Sequence, residues 1–170
     1  MASFASGSSR ISPKTKTYGV FLSFRGEDTR DNFTSHLYAA LLDKGIKTYR
    51  DDQLDRGGDI WAQLGGAIED SYISVVVFSQ DFASSKWCLE ELVKIMECRR
   101  VMGLVVIPVF YKTPPTNVRF QKDSFNKSFA KHELNLRKDA YKHQEKVRSW
   151  RNALTEAANL SGWVSASPGI

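Results

Sequence analysis

Residues 72–78 read YISVVVF. Three consecutive valines beside isoleucine and two aromatics make a β-branched run that is apolar on both faces of the pleat. A strand with one wet face alternates polar and apolar residues, whereas a strand covered on both sides does not need to. The run therefore predicts a buried strand at the centre of a parallel sheet. Such a sheet places helices over both of its faces, so helical patterns are expected on either side of the stretch.

They are there. Upstream, residues 60–70 predict a helix, although Gly65 and Gly66 each cost about 1 kcal/mol relative to alanine in a helix interior. Downstream, residues 85–100 predict a longer one. Further out, YGVFLSF (18–24) is a second apolar strand. TRDNFTSHLYAALLDK (29–44) carries Phe33, Leu37, Ala40 and Leu41 at helical spacing, with Asp28 as its cap and Gly45 as its end. IKTYRD (46–51) and LVVIPVFY (104–111) add two strands, and Pro108 in the latter suits an edge or a bulge. QEKVRSWRNALTEAANL (144–160) sets Val147, Trp150, Leu154, Ala157 and Ala158 on one helical face, and GWV (162–164) is a last short strand. Alternating strands and helices define a three-layer α/β domain. Ligands bind such sheets outside the carboxyl ends of the strands. Those ends are Phe24-Arg25-Gly26, the loop 51–58, Ser79 onward, and the loop 111–117.

Composition bounds the rest. A chain of 170 residues that is 42% hydrophobic builds one domain with a sizeable core. No apolar run approaches the roughly 18 residues of a membrane span. Residues 1–17 are Ser-rich without a signal-peptide core and predict a disordered leader, residues 18–164 a single domain, and residues 165–170 a tail. Cys88 and Cys98 stand about 15 Å apart along one predicted helix, too far to bond, which points to the reducing cytosol. The net charge of +5 is uneven: residues 94–151 hold 14 Lys/Arg against 5 Asp/Glu. A basic half fits DNA, RNA or an acidic partner, and equally a solvated helical face. No Cys/His spacing suggests a bound metal.

The stretch SSKWCLEEL (84–92) holds two adjacent carboxylates. With about 100° per helical residue and Cys88 at zero, Leu92, Ile95 and Met96 fall within about 80° of it and form the core stripe. Glu90 falls on the opposite face with Glu97 and Lys94, toward water. Glu91 falls at the border of the apolar stripe, one turn from Trp87, and Ser85 opens the helix. A desolvated carboxylate near an aromatic ring suits a ligand with a planar base and a centre that gains positive charge. A border glutamate paired with a neighbouring Arg or Lys is the bland alternative.

Taken together, YGVFLSFRGEDTR, TYRDDQLDRG, SVVVFS, SSKWCLEELVKI, VIPVFY and ALTEAANLSGW closely resemble a plant Toll/interleukin receptor (TIR) domain, as found at the N-terminus of intracellular immune receptors. The resemblance implies a flavodoxin-like fold with five parallel strands in the order 2-1-3-4-5. It also implies hydrolysis of NAD⁺ or NADP⁺ at the nicotinamide–ribose bond upon self-association, with no cofactor, in the cytoplasm or nucleus. Its products would act indirectly on lipase-like immune proteins, without a membrane. Glu91 matches the family's catalytic glutamate. Arg25, Gly26, Ser85 and Trp87 match the substrate pocket, Asp52, Leu54, Arg56 and Gly57 a gating loop, and Ser35 with His36 a self-association surface. His132 and His143 look like surface residues. RGGDI and YKTPPTNVR depart from the usual acidic residues of relatives, and the chain ends before the last helix that most relatives carry. Two further functions are compatible with the family: a non-enzymatic interaction scaffold, and a nucleic-acid-directed synthetase of 2′,3′-cyclic nucleotides.

Overall fold

The structure, a computed structural model, describes residues 15–29, 32–50, 59–135 and 140–165. Strands β1 (Tyr18–Ser23), β2 (Thr48–Arg50), β3 (Ser71–Phe78), β4 (Val105–Phe110) and β5 (Trp163–Val164) form one sheet in the order β2-β1-β3-β4-β5. Every pairing is parallel, with Phe21 opposite Tyr49, Val20 opposite Ile73, Val75 opposite Ile107 and Val109 opposite Trp163. The flavodoxin-like TIR order expected from the motifs is the order observed. Helices α1 (Gly26–Thr29), α2 (Phe33–Asp43), α3 (Ile60–Glu69), α4 (Lys86–Met102), α5 (Pro115–Arg119), α6 (Ser124–Asn135) and α7 (Ala140–Ala158) cover it.

Strand alternation divides the core in two. Phe21, Val76, Phe78 and Phe110 enter the larger cluster, against Leu64 and Ile68 of α3, Leu89, Leu92 and Ile95 of α4, and Trp150 and Leu154 of α7. Their neighbours Leu22, Val77 and Val109 point the other way and, with Phe24, meet Phe33, Leu37 and Tyr38 of α2. The carboxyl half of the central run, Val76-Val77-Phe78, is thus buried on both faces, whereas Tyr72 at its start is 50% exposed. Among the described residues no helix is long and apolar enough to cross a membrane.

Several details differ from expectation. The helix predicted over 29–44 begins only at Phe33, and a separate short helix, α1, precedes it. Asn32, not Asp28, caps α2 by accepting the Phe33 N–H at 2.9 Å. Asp28 lies inside α1, where its carboxylate is taken by the Arg25 guanidinium and the Ser79 hydroxyl. Ala40 is exposed, and α2 covers the sheet with Phe33, Thr34, Leu37 and Tyr38 instead. Pro108 is not on an edge: β4 lies between β3 and the two-residue edge strand β5. The expected leader also loses its last residues, since Thr17 N–H donates to Asp70 Oδ1 at 3.1 Å and Lys16 Nζ to the Glu69 carbonyl at 2.9 Å. At the other end Ser165 N–H continues the sheet by donating to the Phe110 carbonyl at 2.9 Å.

Helix α4, which carries the glutamate pair, has well-defined ends. Ser85 caps its start by accepting the Cys88 N–H at 3.2 Å, and Gly103 ends it at φ 73°, a left-handed conformation that glycine adopts without strain.

Candidate functional site

In the order β2-β1-β3, the winding reverses between β1 and β3, and the crevice at their carboxyl ends is where this architecture takes ligands. A cavity of about 380 Å³ opens there. Arg25 and Gly26, just past β1, line one side, and Ser85 and Trp87, at the start of α4, line the other, with Phe24, Glu27, Ser84 and Cys88 between them. Four residues separated by sixty positions in sequence are thereby brought to one concavity.

Each arrives by a local cause. Phe24 belongs to the core beneath α2, so the chain turns outward at Arg25. The Ser85 hydroxyl accepts from Cys88, and its own hydrogen remains a donor for a ligand. Trp87 is half-buried, packs against the larger core and still lines the cavity. Cys88 fastens the floor to β1 by donating its thiol to the Phe24 carbonyl at 3.7 Å.

Arg25 is already engaged. Its guanidinium pairs with Glu27 at 2.8 Å and with Asp28, which also holds Ser79. Burial opposes its charge, but the carboxylates of Asp28 and Glu27 more than offset this and raise its pKa above the ordinary arginine value. One guanidinium against two carboxylates leaves this mouth with no surplus positive charge. The cavity is therefore better matched to a sugar or a cationic ring than to a pyrophosphate.

Glu91 is 1% exposed and is not among the residues that line the cavity; it lies one helical turn beyond Cys88, buried beneath the start of α4. It is more deeply buried than the border position anticipated. Glu90 differs from expectation in another way: it is only half-exposed, and Lys146 of α7 meets its Oε1 at 2.7 Å. A helical wheel describes one helix and cannot foresee a cation delivered by another.

Residues 51–58, which include Asp52, Leu54, Arg56 and Gly57, lie outside the described residues. Ser35 is half-buried and His36 exposed on α2. His132 is not a surface residue. It is 5% exposed, its Nε2 donates to the Ala83 carbonyl at 2.7 Å, and its ring lies edge-on to Trp150. The spacing of Phe125, Ser128, Phe129 and His132 along α6 could have revealed this buried face. His143 is half-buried rather than exposed, and lines a groove with Lys86, Trp87 and Glu90 of α4. Trp61, at the start of α3, went unnoticed in the sequence, yet its ring lies 4.2 Å from that of Trp87. Among the described residues no group of His, Cys, Asp and Glu is placed to hold a metal ion.

A three-layer fold in the order 2-1-3-4-5 with a crevice built from RG and SKWC segments defines a class, and comparison with known proteins agrees. The TIR domain family matches residues 17–168, and the chain belongs to that family. It is 55% identical over 159 residues to disease resistance protein RPV1 of Vitis rotundifolia, an alignment covering 94% of this chain and 11% of that protein. TMV resistance protein N of Nicotiana glutinosa is 54% identical over 147 residues, covering 86% of this chain and 12% of that protein. The chain thus spans about a tenth of the length of these curated relatives. Among solved structures, the TIR domains of the activated Roq1 resistosome, which directly recognises the pathogen effector XopQ, align with a TM-score of 0.79 at 51% identity over 87% of each chain.

Proposed function

We propose that this TIR domain is an NAD⁺ glycohydrolase that acts in the plant cytoplasm when copies associate, releasing ADP-ribose-type signals that trigger defence and cell death. The observation that supports this best is the meeting of Arg25, Gly26, Ser85 and Trp87 at one cavity beside the helix that carries a buried Glu91.

In that reaction the bond between ribose C1′ and the pyridinium nitrogen breaks. Its electron pair passes to the nitrogen, so nicotinamide departs neutral and needs no general acid. The ribose is left oxocarbenium-like, and a carboxylate in a desolvated setting stabilises that charge far more than it would in water. Glu91 is the candidate for this role. Water then bonds to C1′ and releases its proton. One carboxylate suffices, unlike the paired carboxylates of glycosidases that must protonate an alkoxide leaving group. Trp87 offers a ring face to a base, and the Ser85 hydroxyl a donor to the sugar. The surplus of carboxylates around Arg25 favours the cationic nicotinamide end. Assembly of the Roq1 relative into a resistosome supports the association step.

Nicotinamide release from NAD⁺ by concentrated protein tests the proposal. Glu91→Ala is expected to lower turnover at least a hundredfold with the fold intact. Glu90→Ala, which gives up an ion pair worth at most about 1 kcal/mol, should lose far less. Equal losses from the two changes would overturn the role of Glu91, and no nicotinamide at any concentration would leave the scaffold and the nucleic-acid-directed synthetase as the remaining functions.

A further inference from the structure

Trp87 borders two concavities. Beside the cavity already described, a groove of about 470 Å³ runs between the first turns of α3 and α4 and the start of α7. Trp61 and Trp87 form one wall, with their rings 4.2 Å apart and tilted by 32°. Trp150 lies beneath, 2% exposed, with an indole N–H that has no acceptor among the described residues. Lys86, His143 and Lys146 supply the polar side.

The charge here is opposite in sense to that of the first cavity. Two lysines face one acid, Glu90, which Lys146 holds at 2.7 Å, so one positive charge is left over. His143 adds a ring nitrogen able to hydrogen-bond a ligand. Aromatic faces suit a planar base, and a surplus of ammonium suits phosphate.

We propose that this groove binds a nucleoside phosphate, with its base against Trp61 and Trp87 and its phosphate toward Lys86, His143 and Lys146. Two sources share that chemistry. One is a free nucleotide. The other is the adenylate half of a dinucleotide whose nicotinamide end occupies the neighbouring cavity, and this second source rests on the hydrolase proposal above.

Adenosine monophosphate is the probe, and tryptophan fluorescence is the readout, because three indoles line the groove. The expected result is saturable quenching by AMP that weakens with salt, with adenosine and inorganic phosphate each binding at least tenfold more weakly. Lys86→Ala with Lys146→Ala should weaken AMP at least tenfold, and Trp61→Ala should do so without disturbing the ammonium groups. Arg25→Ala should leave AMP binding intact. Absence of quenching at millimolar AMP, equal binding of adenosine, or loss of AMP binding in Arg25→Ala alone would overturn the site. Turnover assays then separate the sources. Competitive inhibition by AMP, with a raised KM for NAD⁺ and unchanged kcat in the double-lysine variant, assigns the groove to the substrate. Inhibition or activation that leaves KM unchanged assigns it to a separate nucleotide, and either pattern upholds the groove. The fluorescence result does not depend on catalysis, so failure of the hydrolase proposal leaves it standing.

Discussion

Burial decides what individual side chains can do in this domain. Cys98 is 2% exposed, and loss of solvation pushes its thiol above the ordinary range, so it stays protonated near neutral pH. Iodoacetamide at pH 8 is therefore expected to leave Cys98 unmodified in the native protein, while the chain in urea takes up a label on each of its two cysteines. Peptide mass spectrometry reads this, and rapid native labelling of Cys98 would show that α4 opens. At this scale the sequence was an uneven guide. The separation of Glu90 from Glu91 was legible, because both belong to one helix whose apolar stripe fixes its orientation. The burial of His132 was misjudged, since KSFAKHELN looks polar when composition is weighed before spacing. Trp61 escaped notice because its partner, Trp87, lies on another element.

Elements were read more securely than their ends. Each strand was recognised from its β-branched or aromatic run, and the α7 stripe of Val147, Trp150, Leu154, Ala157 and Ala158 is buried as drawn. The division into α1 and α2 was missed because Asp28 and Asn32 are both good caps, and only the position of Arg25 and Ser79 shows which carboxyl is already occupied. Two glycines illustrate how context sets the effect of one substitution. A Cβ on Gly162 would lie 2.1 Å from the Pro108 carbonyl oxygen, so Gly162→Ala must push β5 away from β4. A loss of about 1–3 kcal/mol is expected. Gly66, inside α3, has nothing within 4 Å of the same position, and Gly66→Ala should stabilise the domain by roughly 0.5–1 kcal/mol. Urea midpoints measure both, and shifts of the same sign would contradict the packing described.

For the molecule as a whole, the strand order was implied by family resemblance and is the order found, whereas the assembly state concerns contacts between chains. If association completes the site, specific activity rises with protein concentration or crowding. Ser35→Ala with His36→Ala, on α2 and outside both concavities, should then lower activity and shift its concentration dependence upward while the melting temperature holds. Turnover independent of concentration and indifferent to this pair would exclude the gate. The parallel order itself has a kinetic consequence. Val20 pairs with Ile73 and Val109 with Trp163, partners 53 and 54 residues apart, so each rung of the ladder closes a long loop before it gains a contact. A chain wired this way collapses quickly but searches slowly for its register. The two-residue β5, reached only after α7, is the natural last piece to dock, and Trp163, 73% exposed on that strand, marks where the late step would be felt.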